Sequence, residues 1–187
     1  MDSKYIQGAK DMAIEKVREH FKKWNMDQQI LEFETSSATV ELAAMALSCE
    51  PERIAKTLSF KINEGCILIV CAGDAKVDNA KFKGEFSIKA KMLSPDEVAA
   101  LVGHEIGGVC PFGINEGAGV YLDVSLKRFD TVFPACGSSN SAIELTIEEL
   151  EKTSKYLKWV DVCKAWNIWL VENKTMAIMC LTLGGTI

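Results

Sequence analysis

Lys56-Thr57-Leu58-Ser59-Phe60-Lys61-Ile62-Asn63-Glu64-Gly65-Cys66-Ile67-Leu68-Ile69-Val70-Cys71-Ala72 is the stretch that decides the fold. Leu58, Phe60 and Ile62 alternate with Thr57, Ser59 and Lys61, the two-residue period of a strand with one apolar face. Asn63-Glu64-Gly65 predicts a hairpin turn. The run Cys66 to Ala72 is apolar throughout, as in a central strand covered on both faces. Lys56 shares the parity of the apolar row. Its side chain either snorkels past the end of the sheet or lies partly desolvated in a pocket.

Outward from this pair, Ile6, Ala9, Ala13, Val17, Phe21 and Trp24 recur every three or four residues and predict an amphipathic helix, with His20 at the boundary of its apolar stripe. Residues 30–34 read as a short strand, Thr39 caps a helix carrying Val40, Ala43, Ala44 and Leu47, and Pro51 opens another helical turn. Beyond Gly73-Asp74, which ends the central strand, Phe86, Ile88, Ala90 and Met92 alternate with Ser87, Lys89 and Lys91 and predict a strand with a basic face. Those lysines, with Lys76, Lys81 and Lys83, either receive phosphates or simply solvate the surface.

Ser94-Pro95-Asp96-Glu97 is a capping box, predicting a helix as far as Val102, and Thr146 with Glu149 forms a second one for a helix to about Tyr156. Strands are expected over 120–123, 131–136, 142–145 and 159–162. Strict βαβ alternation is missing. The expected fold is therefore a single mixed α/β domain, with a curved, mainly antiparallel mixed sheet and flanking helices.

Between the first capping box and the later strands lies Gly103-His104-Glu105-Ile106-Gly107-Gly108-Val109-Cys110-Pro111-Phe112-Gly113. Glycine permits positive φ and close approach of a ligand, and Pro111 pushes Cys110 toward an extended conformation, so exposed N–H groups become available for binding. A shaped binding loop is expected here. His104 falls at a helix C-terminus, where the macrodipole favours a protonated ring, and it either touches a ligand or caps the last carbonyls.

The chain has 187 residues and a net charge of −5, which disfavours non-specific binding along a long nucleic acid and leaves room only for a small local contact. Seven cysteines form no Cys-x-x-Cys pair and mostly fall in apolar runs, and with two histidines available no metal site and no cofactor is implied. The first residues lack the apolar core of a signal peptide, and no run is long enough to span a bilayer, so a cytoplasmic location without membrane contact is expected. Residues 164–187 change character: 165–171 and 176–183 are apolar around Glu172-Asn173-Lys174, which suggests a hairpin, a partner-binding tail or a foreign extension.

Three signals in order, Ala55-Lys56-Thr57-Leu58, Val70-Cys71-Ala72-Gly73-Asp74-Ala75-Lys76-Val77-Asp78 and Gly107-Gly108-Val109-Cys110-Pro111-Phe112-Gly113, make residues 30–162 resemble the YbaK and prolyl-tRNA synthetase-associated editing domains, which are aminoacyl-tRNA deacylases. The resemblance implies an editing domain over 1–163, with 164–187 as an extension of unknown role. It implies a pocket for the 3′-terminal adenosine and aminoacyl ester of a mischarged tRNA, an essential lysine at Lys56, and a bordering loop from Gly107 to Pro111. No DNA is implied, and an aminoacyl-tRNA synthetase is a candidate partner. Ser138-Ser139-Asn140-Ser141-Ala142 departs from the basic-Gly-x-Asp pattern of close YbaK relatives, so an acidic partner is missing there.

On that resemblance the catalytic set is Lys56, Gly107 and Gly108, and the substrate-binding set is Thr57, His104, Val109, Cys110, Pro111 and Phe112. N–H donors of Gly107, Gly108 or Val109 would stabilise the oxyanion of ester hydrolysis, while Lys56 acts as a cation or, if desolvated, as a base. Cysteine or alanine on proline tRNA is the first substrate expected, with serine and threonine next. Two rivals stand beside this reading. One is a non-catalytic module that binds a nucleotide, a tRNA end or a synthetase; the other makes Cys110 a nucleophile with His104 as its base.

Overall fold

The computed structural model describes residues 3–166, with side chains from residue 12 onward. The predicted side-chain stripe at Ile6 and Ala9, Cys180, and most of the 164–187 extension lie outside the described residues. In chain order the elements are α1 (Ser3–Lys22), β1 (Leu31–Glu32), α2 (Val40–Leu47), β2 (Ile54–Lys61), β3 (Cys66–Ala72), β4 (Lys76–Val77), α3 (Asn79–Phe86), α4 (Pro95–Leu101), β5 (Ala118–Asp123), β6 (Thr131–Pro134), β7 (Ser141–Ala142), β8 (Leu145–Thr146), α5 (Ile147–Ser154), β9 (Lys158–Val160) and β10 (Cys163–Lys164). Pro51–Arg53 forms a single 3₁₀ turn before β2.

Six strands form one mixed sheet in the order β8-β6-β2-β3-β5-β9. The β2–β3 hairpin runs in antiparallel register from Ala55↔Ala72 to Lys61↔Cys66, and all seven residues of β3 are buried, as their unbroken apolar run requires. β3 pairs parallel with β5, and β5 parallel with β9. β6 pairs antiparallel with β8 and, over two residues only, parallel with β2. Two small antiparallel ribbons, β1–β7 and β4–β10, lie beside this sheet. Lys164 is thus part of a strand that closes on Lys76.

The main core gathers Val17 and Phe21 of α1, Phe82 of α3, Val98 of α4, Leu150 of α5 and the whole of β3. Both capping boxes form: Ser94 Oγ accepts from the Glu97 N–H at 3.3 Å, and Thr146 Oγ1 from that of Glu149 at 3.1 Å. Thr39 caps α2 through Leu42 N–H at 3.2 Å. His20 is half-buried beside the α1 stripe, with Nε2 2.7 Å from the Thr153 carbonyl.

The predicted strand over 86–92 does not form. Of that stretch Phe86 ends helix α3, which Asp78 caps through the amides of Ala80 and Lys81 and in which a four-residue step brings the tilted rings of Phe82 and Phe86 to 4.8 Å, while 87–91 carry no helix or strand. The chain then runs beside β2 and touches it at one isolated bridge, Phe60↔Met92. Lys81, expected in a phosphate patch, is held by Asp161 at 2.7 Å.

Candidate active site

The site follows from a pairing defect in the sheet. β2 is laddered to β3 along its length, yet on its other edge it meets β6 only at Ile54↔Phe133 and Ala55↔Pro134. Further along, that edge is closed by Lys61 N–H to Lys91 O at 2.8 Å and Leu93 N–H to Ser59 O at 3.1 Å. Between these points the strands splay. Strand alternation turns the Thr57 N–H and C=O toward the same open edge.

A cavity of about 310 Å³ fills the splay. Lys56, Thr57 and Ser59 of β2 line it, with Val40 and Ala43 of α2, Phe133 and Ala135 from β6 and its end, Ser141 and Ala142 of β7, and Ile106, Gly107 and Val109 of the loop. Its walls are largely apolar with a few convergent polar groups, the usual make-up of a small-molecule site. Thr57 Oγ1 is buried there with no hydrogen-bond partner among the described residues.

Lys56 is half-buried, and its Nζ donates to the Gly73 carbonyl at 2.8 Å. That anchor depends on a close approach, since a Cβ on Gly73 would fall 2.0 Å from the Pro51 carbonyl oxygen and 2.8 Å from Val40 Cγ1. The rest of the motif is structural. Asp74 forms a two-pronged pair with the buried Arg128, at 2.9 Å and 2.5 Å, and Asp78 caps α3. An ammonium carries three donors, so two remain after the bond to Gly73.

The loop presents its amides alternately. Gly108 N–H closes a turn on Glu105 O at 3.0 Å, and Gly107, third in that turn, has φ +91°, as a type II turn demands. Cys110 N–H donates to His104 Nδ1 at 3.3 Å. Among the described residues the N–H groups of Gly107 and Val109 have no partner, and both residues line the cavity. Gly108 is packed behind them: a Cβ there would lie 2.7 Å from the carbonyl carbon of Gly137. With its N–H given to Glu105 O, Gly108 is not a free donor, and of the three amides expected as alternatives Gly107 and Val109 remain.

Four more residues expected at the ligand also sit behind the loop. Phe112 is fully buried against Phe21, with ring centroids 4.6 Å apart, and Pro111 is buried beside a separate depression next to α1. His104 is 1% exposed, and burial, with a smaller contribution from Lys16, lowers its pKa to about 4. The ring is thus neutral rather than protonated, because desolvation outweighs the helix end. Cys110 Sγ lies 3.8 Å from His104 Nδ1, but the thiol is completely buried and pushed up to about 12. A buried thiol of that basicity is no nucleophile.

His104 has a measurable consequence. Its folded-state pKa lies below the unfolded value near 6.5, so the unfolded chain binds the proton more readily between the two. The stabilisation is complete above pH 6.5 and is lost as pH falls toward 4, by roughly 3 kcal/mol in all. Urea unfolding of wild type and His104→Asn, whose Oδ1 can replace Nδ1 as acceptor, is expected to show a shallower acid decline in the variant.

Ser138-Ser139-Asn140-Ser141, where an acidic partner is missing, forms its own polar network. Ser138 Oγ lies 2.7 Å from Ser141 Oγ, Asn140 Nδ2 donates to Phe33 O at 2.8 Å, and Ser139 O accepts from Ser37 N–H at 2.7 Å. This turn holds the chain entering α2 against the cavity. Among the described residues no three His, Cys, Asp or Glu side chains gather as a metal site, and no helix is long and apolar enough to cross a membrane.

A family model described as an aminoacyl-tRNA editing domain matches residues 34–153, which include the cavity and its loop. The chain belongs to the aminoacyl-tRNA editing domain family. YwhH of Bacillus subtilis (strain 168), an uncharacterized protein, is 60% identical over 83% of this chain and 99% of its own length. A proline–tRNA ligase of Bacillus cytotoxicus is 26% identical over 66% of this chain, which spans only 22% of that ligase. Among solved structures, a candidate trans-editing enzyme for prolyl tRNA synthetase superposes with a TM-score of 0.74 at 26% identity, covering 81% of this chain and 97% of that one. The editing-domain fold accounts for the mixed sheet and the five helices among the described residues.

Proposed function

We propose that this editing domain is a trans-acting deacylase that hydrolyses the ester of a mischarged tRNA in the Lys56 cavity. The observation that carries it is the juxtaposition, in one cavity, of a lysine anchored by Gly73 and two partnerless loop amides. Attack of water on an ester builds negative charge on the carbonyl oxygen, and donors fixed in advance stabilise that charge without reorganising. Gly107 and Val109 N–H supply the donors. Lys56, with two donors left, adds positive charge and holds the ester or the adjacent ribose. Thr57 Oγ1 and its carbonyl accept from the substrate α-ammonium.

Selection follows from size. A cavity of about 310 Å³ walled by Ala43, Ala135 and Ala142 admits a small side chain, and binding separates neighbours by only about 1–3 kcal/mol per methylene, so a second hydrolytic site is the remedy. Alanine or cysteine on proline tRNA is the first substrate by kinship with the prolyl-tRNA relatives. A cytoplasmic location and a synthetase partner belong to the same proposal.

The test is a deacylation panel of mischarged tRNAs with wild type, Lys56→Ala and Cys110→Ala. Turnover that needs Lys56 and survives Cys110→Ala within a factor of about three is expected, since the thiol is buried away from the cavity. Loss only in Cys110→Ala would restore a thiol mechanism. No turnover on any tRNA would leave a binding module.

A further inference from the structure

A second depression, of about 780 Å³, lies between α1, residues 111–118 and the end of α5. Its charge is opposite to that of the chain, which carries −5 overall. Lys16, Lys23 and Lys155 line it, exposed and without ion-pair partners among the described residues. Lys22 is neutralised by Glu19 at 2.7 Å, which leaves Glu116 as the one opposing carboxylate among the described residues of the lining. Burial is the main cause that lowers the pKa of His20 and of His104, and the same lysines add to it, Lys23 and Lys155 at His20 and Lys16 at His104.

An independent feature points to a ligand. Ser154 is 2% exposed and borders the depression, yet its Oγ has no hydrogen-bond partner among the described residues. Buried hydroxyls are almost always paired, so a lone one beside unpaired lysines calls for an acceptor with negative charge. The floor is continuous with the active-site loop, because Pro111 and Gly113 line the depression while Gly107 and Val109 line the Lys56 cavity. Six residues fully extended span at most about 21 Å, so a strand ending in one site can reach the other within a few nucleotides.

We propose that this depression seats a backbone phosphate of the RNA strand whose acylated 3′ end occupies the Lys56 cavity, a proposal that rests on the editing reading. Lys16, Lys23 and Lys155 neutralise the phosphate, and Ser154, whose buried Oγ has no partner among the described residues to give up, rotates about χ1 to donate its Oγ–H to one of the oxygens. Contacts of this kind position the strand without reading its sequence.

Binding of an uncharged proline tRNA transcript, read by fluorescence anisotropy across a salt series, tests the seat without requiring catalysis. The triple variant Lys16→Glu, Lys23→Glu, Lys155→Glu is expected to bind at least about tenfold more weakly, with a salt slope shallower by about 0.7 for each single-strand phosphate that is no longer neutralised. Ser154→Ala is expected to bind about two- to fivefold more weakly at unchanged Tm, because it removes a hydroxyl with no internal partner. Neither variant should alter deacylation of a 3′-aminoacyl-adenosine, which carries no phosphate. Wild-type affinity and salt slope in the triple variant would overturn the seat, as would equal loss on the tRNA and adenosine esters. Inorganic phosphate that shifts the His20 ring resonances without competing with tRNA would also overturn it, showing a free-anion site. Should affinity fall as expected while no tRNA is deacylated, the editing reading fails and the seat stands; the reverse pattern sinks the seat alone.

Discussion

Lys56→Ala is expected to lower kcat/KM for deacylation of the preferred mischarged tRNA by about 10²–10³-fold while leaving the fold intact, the range typical for removing one preorganised electrostatic group from an oxyanion site. The side chain is half-buried at the wall of the cavity, and its one fixed bond goes to the Gly73 carbonyl. Truncation leaves that carbonyl beside a cavity open to water, so the stability cost should stay within about 1 kcal/mol. Lys56→Arg tests shape as well as charge. The planar fork cannot reproduce a compact ammonium held by the Gly73 carbonyl, and a loss close to that of alanine is expected. Single-turnover deacylation alongside urea unfolding separates the two effects.

Gly107→Ala should be nearly as damaging by a different route. The residue sits at φ +91°, and a Cβ there would lie 2.9 Å from Ala38 Cβ and 3.3 Å from Ser139 Cβ. Alanine in the left-handed region costs roughly 1–2 kcal/mol before any clash. The turn from Glu105 to Gly108 relieves the strain by rotating the peptides that carry the free N–H groups of Gly107 and Val109. A displacement of about 1 Å at such donors is worth about 10²-fold in rate. The expected signature is a fall in kcat with little change in KM, together with a modest loss of stability. A rise in KM alone would mean that the bend only binds.

The scaffold is readable from sequence where local signals agree. The β2–β3 hairpin, the caps at Thr39, Ser94 and Thr146, and the α1 stripe at Ala13, Val17 and Phe21 each follow from periodicity or a side-chain oxygen beside free amides. α3 is hidden because Phe86 and Met92 sit at a spacing that fits strand alternation, and the lysine pattern masks the cap that Asp78 provides. The pairing of Lys56 with the loop is legible only through family resemblance. Nothing local shows that β2 and β6 part after Ala55 and so open the cavity.

Within the loop, glycine content announces a shaped backbone but not which amides stay free. That depends on a turn closed by Glu105 O and on an acceptor nitrogen supplied by His104. Pattern alone also cannot separate His104, Cys110 and Phe112, which build the underside of the loop, from Gly107 and Val109, which face the cavity. The seat near Ser154 is invisible for the same reason. Its lysines are distributed over α1 and the end of α5 and meet only through the packing of those elements.

The most direct measurement is a crystal structure of the protein with an adenosine carrying alanine through a non-hydrolysable 3′-amide. The account predicts the acyl carbonyl oxygen about 3 Å from Gly107 or Val109 N, with Lys56 Nζ in contact with the carbonyl or the ribose. An analogue seated outside the β2–β6 splay, or one whose acyl group faces away from both the lysine and the bend, would contradict it.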